Sequence, residues 1–168
     1  MTKDNLKDGK DIPMISLRRT CFIAIVVLCV SAACASQEKK IKRSDLPPAV
    51  EKTVAAQSPG TAVRGFSKET ENGQTYYEVE QTVNGHTKDI LIDTTGAIVE
   101  VEEEVALDSL PAEVKAGLLA KAGMGKIGKV ESITKHDRLV AYEAHVDTNG
   151  KKSEAQVGPD GKPLAHEE

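Results

Sequence analysis

Leu46-Pro47-Pro48-Ala49-Val50 returns as Leu110-Pro111-Ala112-Glu113-Val114, and the matches downstream of each copy come in the same order. Tyr77-Glu78-Val79 is matched by Tyr142-Glu143-Ala144, Asn84-Gly85 by Asn149-Gly150, and Thr95-Gly96 by Asp160-Gly161. The offset is 64 residues at the Leu-Pro pair and 65 at the Asn-Gly pair. An internal repeat fixes the building unit before any element is assigned, and a drift of one residue is what unequal loops produce. Matching Val63 with Val130 and Phe66 with Ile133 lengthens the second helix–strand loop and shortens the hairpin after it.

Each unit opens on a short helix. Ser44 and Asp45 stand where caps belong and Pro47 or Pro48 suits the first turn, so a helix runs to about Gln57 and stops before Ser58-Pro59-Gly60. Leu46, Val50 and Val54 form one apolar stripe. The second unit repeats this with Asp108 and Ser109 as caps, Pro111 opening, Leu110, Val114 and Leu118 as the stripe, and Gly123 as the stop. Helices this short are marginal alone, so something must cover the stripe.

The cover is a meander. Strands are expected at residues 61–70, 74–83, 86–93 and 97–105, with turns at Asn72-Gly73, Asn84-Gly85 and 94–96. The second unit gives strands at 126–136, 139–147 and 151–158, turns at Asp137-Arg138, Asn149-Gly150 and 159–161, and a stub ending at Leu164. The fold class is therefore α+β: two tandem αββββ repeats, each a short helix packed on one face of an antiparallel meander sheet. Alternation turns Tyr77, Val79 and Gln81 toward the helix, with Tyr142, Ala144 and Val146 as their counterparts. Tyr76, Glu78 and Glu80, with Ala141, Glu143, His145 and Asp147, fall on the opposite, open and mostly acidic face.

The chain divides into a signal segment at residues 1–35, a charged linker at 36–43, and repeats at 44–105 and 106–168. Cys21 to Ala35 is apolar for 15 residues behind Arg18-Arg19, too short for a membrane span and well formed for export. Met14 offers a cleaner start than Met1. Ala33-Cys34-Ala35 fits cleavage before Ser36, the favoured exit, and Ser31-Ala32-Ala33-Cys34 resembles a lipoprotein box with Ser in the usual Leu position. Lipidation of Cys34 is the one route to a membrane. Either exit places the domain outside the cytoplasm.

All three cysteines lie in the signal segment, so cleavage at Ser36 leaves no disulfide or thiol site. From Ser36 onward there are 17 basic and 23 acidic residues, a balance that argues against nucleic acid as a partner. Gly123 to Gly128 matches G-x-G-x-x-G but follows a helix and opens a strand, the reverse of a dinucleotide site. Ser132 and Lys135 have S-x-x-K spacing, which a strand splits between two faces. Asp147-Thr148-Asn149-Gly150 reads as a hairpin rather than a calcium loop, since Gln156 stands at the closing position. The four histidines have no metal-ligand spacing. Glu100 to Glu104, broken by Val101, reads as a solvated edge strand.

Leu46-Pro47-x-Ala49-Val50, Pro59-Gly60, Tyr77-Glu78-Val79, Asn84-Gly85 and a last hairpin with Gly96 together resemble the PepSY-like repeat, related to the beta-lactamase-inhibitor-like group of exported bacterial proteins. The resemblance covers Ser44 to Val105 well and Asp108 to Leu164 less well, Met124-Gly125 standing where Pro-Gly should recur. It implies a helix laid on an antiparallel sheet, an extracytoplasmic setting and a binding or inhibitory role without catalysis. The expected function is thus a non-catalytic exported binding module. Its partner is an extracytoplasmic protein, a hydrolase being one candidate, met by Tyr76, Glu78, Glu80, Glu143, His145 and Asp147. No catalytic residue, metal site or cofactor is expected. The alternative is a small-ligand or divalent-cation (Ca²⁺) binding envelope protein.

Overall fold

The computed structural model describes residues 38–71 and 73–168, and the signal segment with Cys34 lies outside them. Among the described residues, eight strands form one antiparallel sheet in chain order: β1 (Lys39–Ile41), β2 (Ala62–Glu71), β3 (Gln74–Val83), β4 (His86–Asp93), β5 (Ile98–Glu104), β6 (Lys126–Lys135), β7 (Arg138–Thr148) and β8 (Lys151–Val157). Helix α1 (Pro48–Gln57) precedes β2 and helix α2 (Ala112–Ala122) precedes β6. β5 pairs with β6 from Glu100↔Lys135 to Glu104↔Glu131, so the two halves share a single sheet.

Three expectations change here. The stretch read as a linker contributes β1, a short edge strand paired with β2. The acidic run at Glu100–Glu104 is not an edge: β5 is paired on both sides, with β4 and with β6. The second half also lacks a fourth strand, since after β8 there is one isolated bridge, Val157↔Pro163.

The helix ends follow backbone chemistry more than capping side chains. Pro47 and Pro111 occupy the N-caps and no side chain caps either helix. Ser44 and Asp45 lie instead in a 3₁₀ turn, Arg43–Asp45, and Asp108 and Ser109 in another, Leu107–Ser109. Gly123 ends α2 as expected, with φ 58 and its N–H on Leu119 O. The hairpins at Asn84-Gly85 and Asn149-Gly150 carry positive φ at both positions, as a tight antiparallel turn requires. The turn between β6 and β7 sits at His136-Asp137, one residue earlier than expected, with φ 49 and 60.

Both helices cover the same sheet face. Val50 and Val54 of α1 pack with Phe66, Tyr77, Val79, Ile90 and Ile92. Val114 and Leu118 of α2 pack with Val130, Ala144 and Val157. Each helix is pinned by a late turn that closes on its first residues. A Cβ on Gly96 would lie 2.7 Å from Ala49 O, and one on Gly161 would lie 2.2 Å from Glu113 O. Thr53 Oγ1 donates to Gly96 O at 2.6 Å. At the matching position Gly117 has no side chain, and a Cβ there would lie 2.1 Å from Gly161 O.

Candidate functional site, an acidic sheet face

Cross-strand register sorts the face away from the helices into rows. One row runs Ser67, Glu78, Leu91, Glu100 and Lys135 across β2 to β6. The next runs Glu80, Asp89, Glu102, Ile133 and Ala141 across β3 to β7. A third joins Glu104, Glu131, Glu143 and Gln156 across β5 to β8. Directly opposed side chains in an antiparallel pair are close enough to interact, so carboxylates are held together here by backbone pairing alone.

The centre of the first two rows is a depression of about 210 Å³ lined by Glu38, Glu69, Glu78, Asp89, Leu91, Glu100 and Glu102. Burial is the main force on its carboxyls. It raises Glu78 above the ordinary carboxylate range against a 2.6 Å hydrogen bond from Ser67 Oγ. It raises Asp89 against Arg64, whose Nη2 is 3.1 Å away, and Glu100 against Lys135 at 3.7 Å. Glu102 is pushed from 4.5 up to about 8, by burial first and then by Glu131, Glu100, Glu143 and Asp89. Desolvation and like charge act there in the same direction, which is why its shift is the largest on this face.

Of the residues expected at the site, Glu78 lines the depression. Glu80 is taken up by ion pairs with Lys40 and, at 4.0 Å, Arg64. Tyr76 lies away from the depression, in a groove with Asp93 and His136, its hydroxyl bonded to Gln74 at 2.5 Å. Asp147 accepts the Gly150 N–H at 2.7 Å and serves its own turn. Glu143 and His145 meet at one end of the sheet, with Glu131 between β5 and β7. Ala141, placed on the open face by alternation, is instead fully buried beside its partner Ile133.

Sequence pattern does not single out Asp89, Glu100, Glu102 or Glu131. Glu100 and Glu102 are visible as charges, but local pattern assigns them to an edge, and only the β5–β6 pairing makes them central. Glu131, 2% exposed, sits in a strand next to buried Val130, where a bulge interrupts simple alternation.

No family model matches the chain, and no curated protein matches it. Among solved structures, a proposed periplasmic protein of Bacteroides eggerthii aligns with a TM-score of 0.57 at 17% identity, over 70% of this chain and 84% of its own. A DUF2874 family protein of Bacteroides ovatus aligns with a TM-score of 0.56 at 22% identity, over 71% and 86%. A BLIP-like protein of Bacteroides fragilis aligns with a TM-score of 0.52 at 20% identity, over 73% and 86%. The chain therefore has the fold of DUF2874 and BLIP-like proteins. At these identities the likeness is one of fold.

Proposed function

We propose that this is a non-catalytic, extracytoplasmic binding module that docks a cationic segment of another protein on its acidic sheet face. The observation that carries the reading is the depression: six of its seven lining residues are carboxylic acids. At about 210 Å³ it is smaller than the usual small-molecule pocket of roughly 300–1,000 Å³, and it suits one lysine or arginine side chain. Leu91 in its lining offers apolar contact to the methylene stem while the carboxylic acids meet the charge. A shallow charged face steers encounter and selects partners of opposite sign.

The fold of a BLIP-like protein supports an inhibitory role, with a hydrolase as one class of partner, and the apolar segment ahead of Ser36 supports export. We read the chain as two PepSY-like units fused through β5 and β6. The matched contacts of Gly96 on α1 and Gly161 on α2 support this, since one turn closes on one helix in both places.

The test is a titration of the exported chain with a lysine-rich peptide, followed by capture from an envelope extract. Wild type should bind and retain a discrete partner, and a Glu78→Gln, Glu100→Gln, Glu102→Gln variant should lose both. Equal peptide affinity and equal recovery of every captured protein by the two would remove the face as the docking site.

A further inference from the structure

Beside the depression on the same face, two carboxylates converge on one imidazole nitrogen. His145 Nε2 lies 3.0 Å from Glu131 Oε2 and 3.6 Å from Glu143 Oε1. The ligand atoms of this trio all fall within 4.8 Å of one another. Four-coordinate Zn²⁺ with bonds of about 2.0–2.2 Å has ligand–ligand edges of about 3.3–3.6 Å, and the two edges at His145, 3.0 and 3.6 Å, bracket that spacing.

The remaining oxygens are held from outside. Gln156 Nε2 donates to Glu143 Oε2 at 2.6 Å, which leaves Oε1 to face the histidine. Glu131 is 2% exposed, and its Oε1 has Lys129 Nζ at 2.7 Å without making a hydrogen bond. Outer partners that fix the free oxygen of a ligating carboxylate are the usual support of a metal centre. The three side chains come from neighbouring strands, Glu131 directly opposite Glu143 in the β6–β7 ladder, so the geometry rests on backbone pairing. His145 also lines a cleft with Gly128, Lys126 and Lys129, which gives an ion a path in.

We propose that Glu131, Glu143 and His145 bind one divalent transition-metal ion of the zinc class, with solvent in the fourth position. Imidazole among the donors favours Zn²⁺ over Ca²⁺, which takes six or more oxygens. Lys129 is ion-paired with Glu131, while Lys126 and Lys152 line the cleft beside Asp147, so the two carboxylates of the trio share one directly paired ammonium. Glu131 also borders Asp89 and Glu102, but none of the three proposed ligands lines the central depression, and metal binding does not depend on protein docking there.

The probe is the metal alone, Zn²⁺ or Co²⁺, added to the full exported chain. Expected are one Zn²⁺ per chain by calorimetry, a tetrahedral-type Co²⁺ absorption, and movement of the His145 ring resonances on titration. His145→Gln and Glu143→Gln should each weaken Zn²⁺ at least about tenfold, and Gln156→Ala by a similar factor through lost orientation. Glu78→Gln, on the same face but outside the trio, should leave it unchanged. His145 is 40% exposed, so its variant is expected to fold, and circular dichroism checks that. No Zn²⁺ uptake at millimolar ion would overturn the site. So would unchanged affinity in folded His145→Gln, or Ca²⁺ binding as tightly as Zn²⁺ and indifferent to His145, since either assigns the cation to the carboxylates at large.

Discussion

Asp89 and Glu102 stand directly opposite each other across the β4–β5 ladder, two acids in register on one face. Glu131 brings a third carboxylate oxygen within 4.8 Å of both. Like charges directly opposed on a sheet weaken the pair. Arg64 relieves Asp89 at 3.1 Å, and Glu102 is left to hold its proton, pushed up to about 8.

That proton makes stability fall as pH rises. The folded chain binds a proton at Glu102 that the unfolded chain releases near the ordinary value of 4.5, so stability is greatest below that value and is lost as pH rises through about 8. Glu102→Gln keeps the shape and removes the charge. It should stabilise the protein at pH 8 by on the order of 2 kcal/mol and change little at pH 4, read from urea unfolding at the two pH values. Equal gains at both would show that packing, not ionisation, is what changed.

Docking should depend on salt and on proton release. If the acidic face steers a cationic partner, association with a lysine-rich peptide slows as ionic strength rises, because exposed charge is screened over about 10 Å at 0.1 M. Glu100→Lys adds a cation where Lys135 already stands 3.7 Å away. It should slow association several-fold, with a smaller effect on dissociation, in stopped-flow measurements at low salt. Raising pH from 6 to 9 should tighten binding as Glu102 ionises. Binding indifferent to both salt and pH would show that the acids of this face do not make the contact.

Much of the architecture is legible in the sequence, for identifiable reasons. Val50, Val54, Val114 and Leu118 are buried where the 3.6-residue stripe puts them, and Asn84-Gly85 and Asn149-Gly150 turn where positive φ is needed. Pairing between elements far apart in the chain is not legible in the same way. Whether Glu102 sits at an edge or in the middle depends on β6, some thirty residues on, meeting β5. Local pattern is blind to that. The same gap hides Glu131, since its partners Lys129, Glu143 and His145 converge only after β6 bulges and β7 pairs with it. The caps fail for a different reason: Pro47 and Pro111 take the N-cap positions, displacing Asp45 and Ser109 into the turns before them.

The second helix is the test of whether the sheet's two halves are equally held. Leu118 is fully buried between α2 and the strands beneath it, in a core whose cluster contains mostly valine and alanine. Leu118→Ala should cost about 2–5 kcal/mol in denaturant unfolding, the range for a large-to-small change in a core that cannot collapse. Because β5 pairs directly with β6, that loss should appear as one cooperative transition lowered throughout. Two separate transitions would show instead that the halves unfold independently.

Glycine substitutions can separate two costs that usually come together. Gly73 and Gly161 have nearly the same φ, 79 and 76, so a Cβ strains both backbones alike. At Gly73 that Cβ meets nothing within 4 Å, whereas at Gly161 it would lie 2.2 Å from Glu113 O and 2.9 Å from Val114 N, both backbone atoms of α2. Gly73→Ala should therefore cost about 1–2 kcal/mol, the penalty of the left-handed backbone alone. Gly161→Ala should cost clearly more, by about 2 kcal/mol, because the turn must lift off the helix it closes on. Gly96→Ala should fall between them: its Cβ would be 2.7 Å from Ala49 O and would push on a turn that Thr53 also holds by a 2.6 Å hydrogen bond. The measurement is the urea midpoint of the three variants against wild type. The order Gly161, Gly96, Gly73 is expected, and equal losses at all three would show that backbone conformation, not closure of the turns on their helices, is why glycine stands at positions 96 and 161.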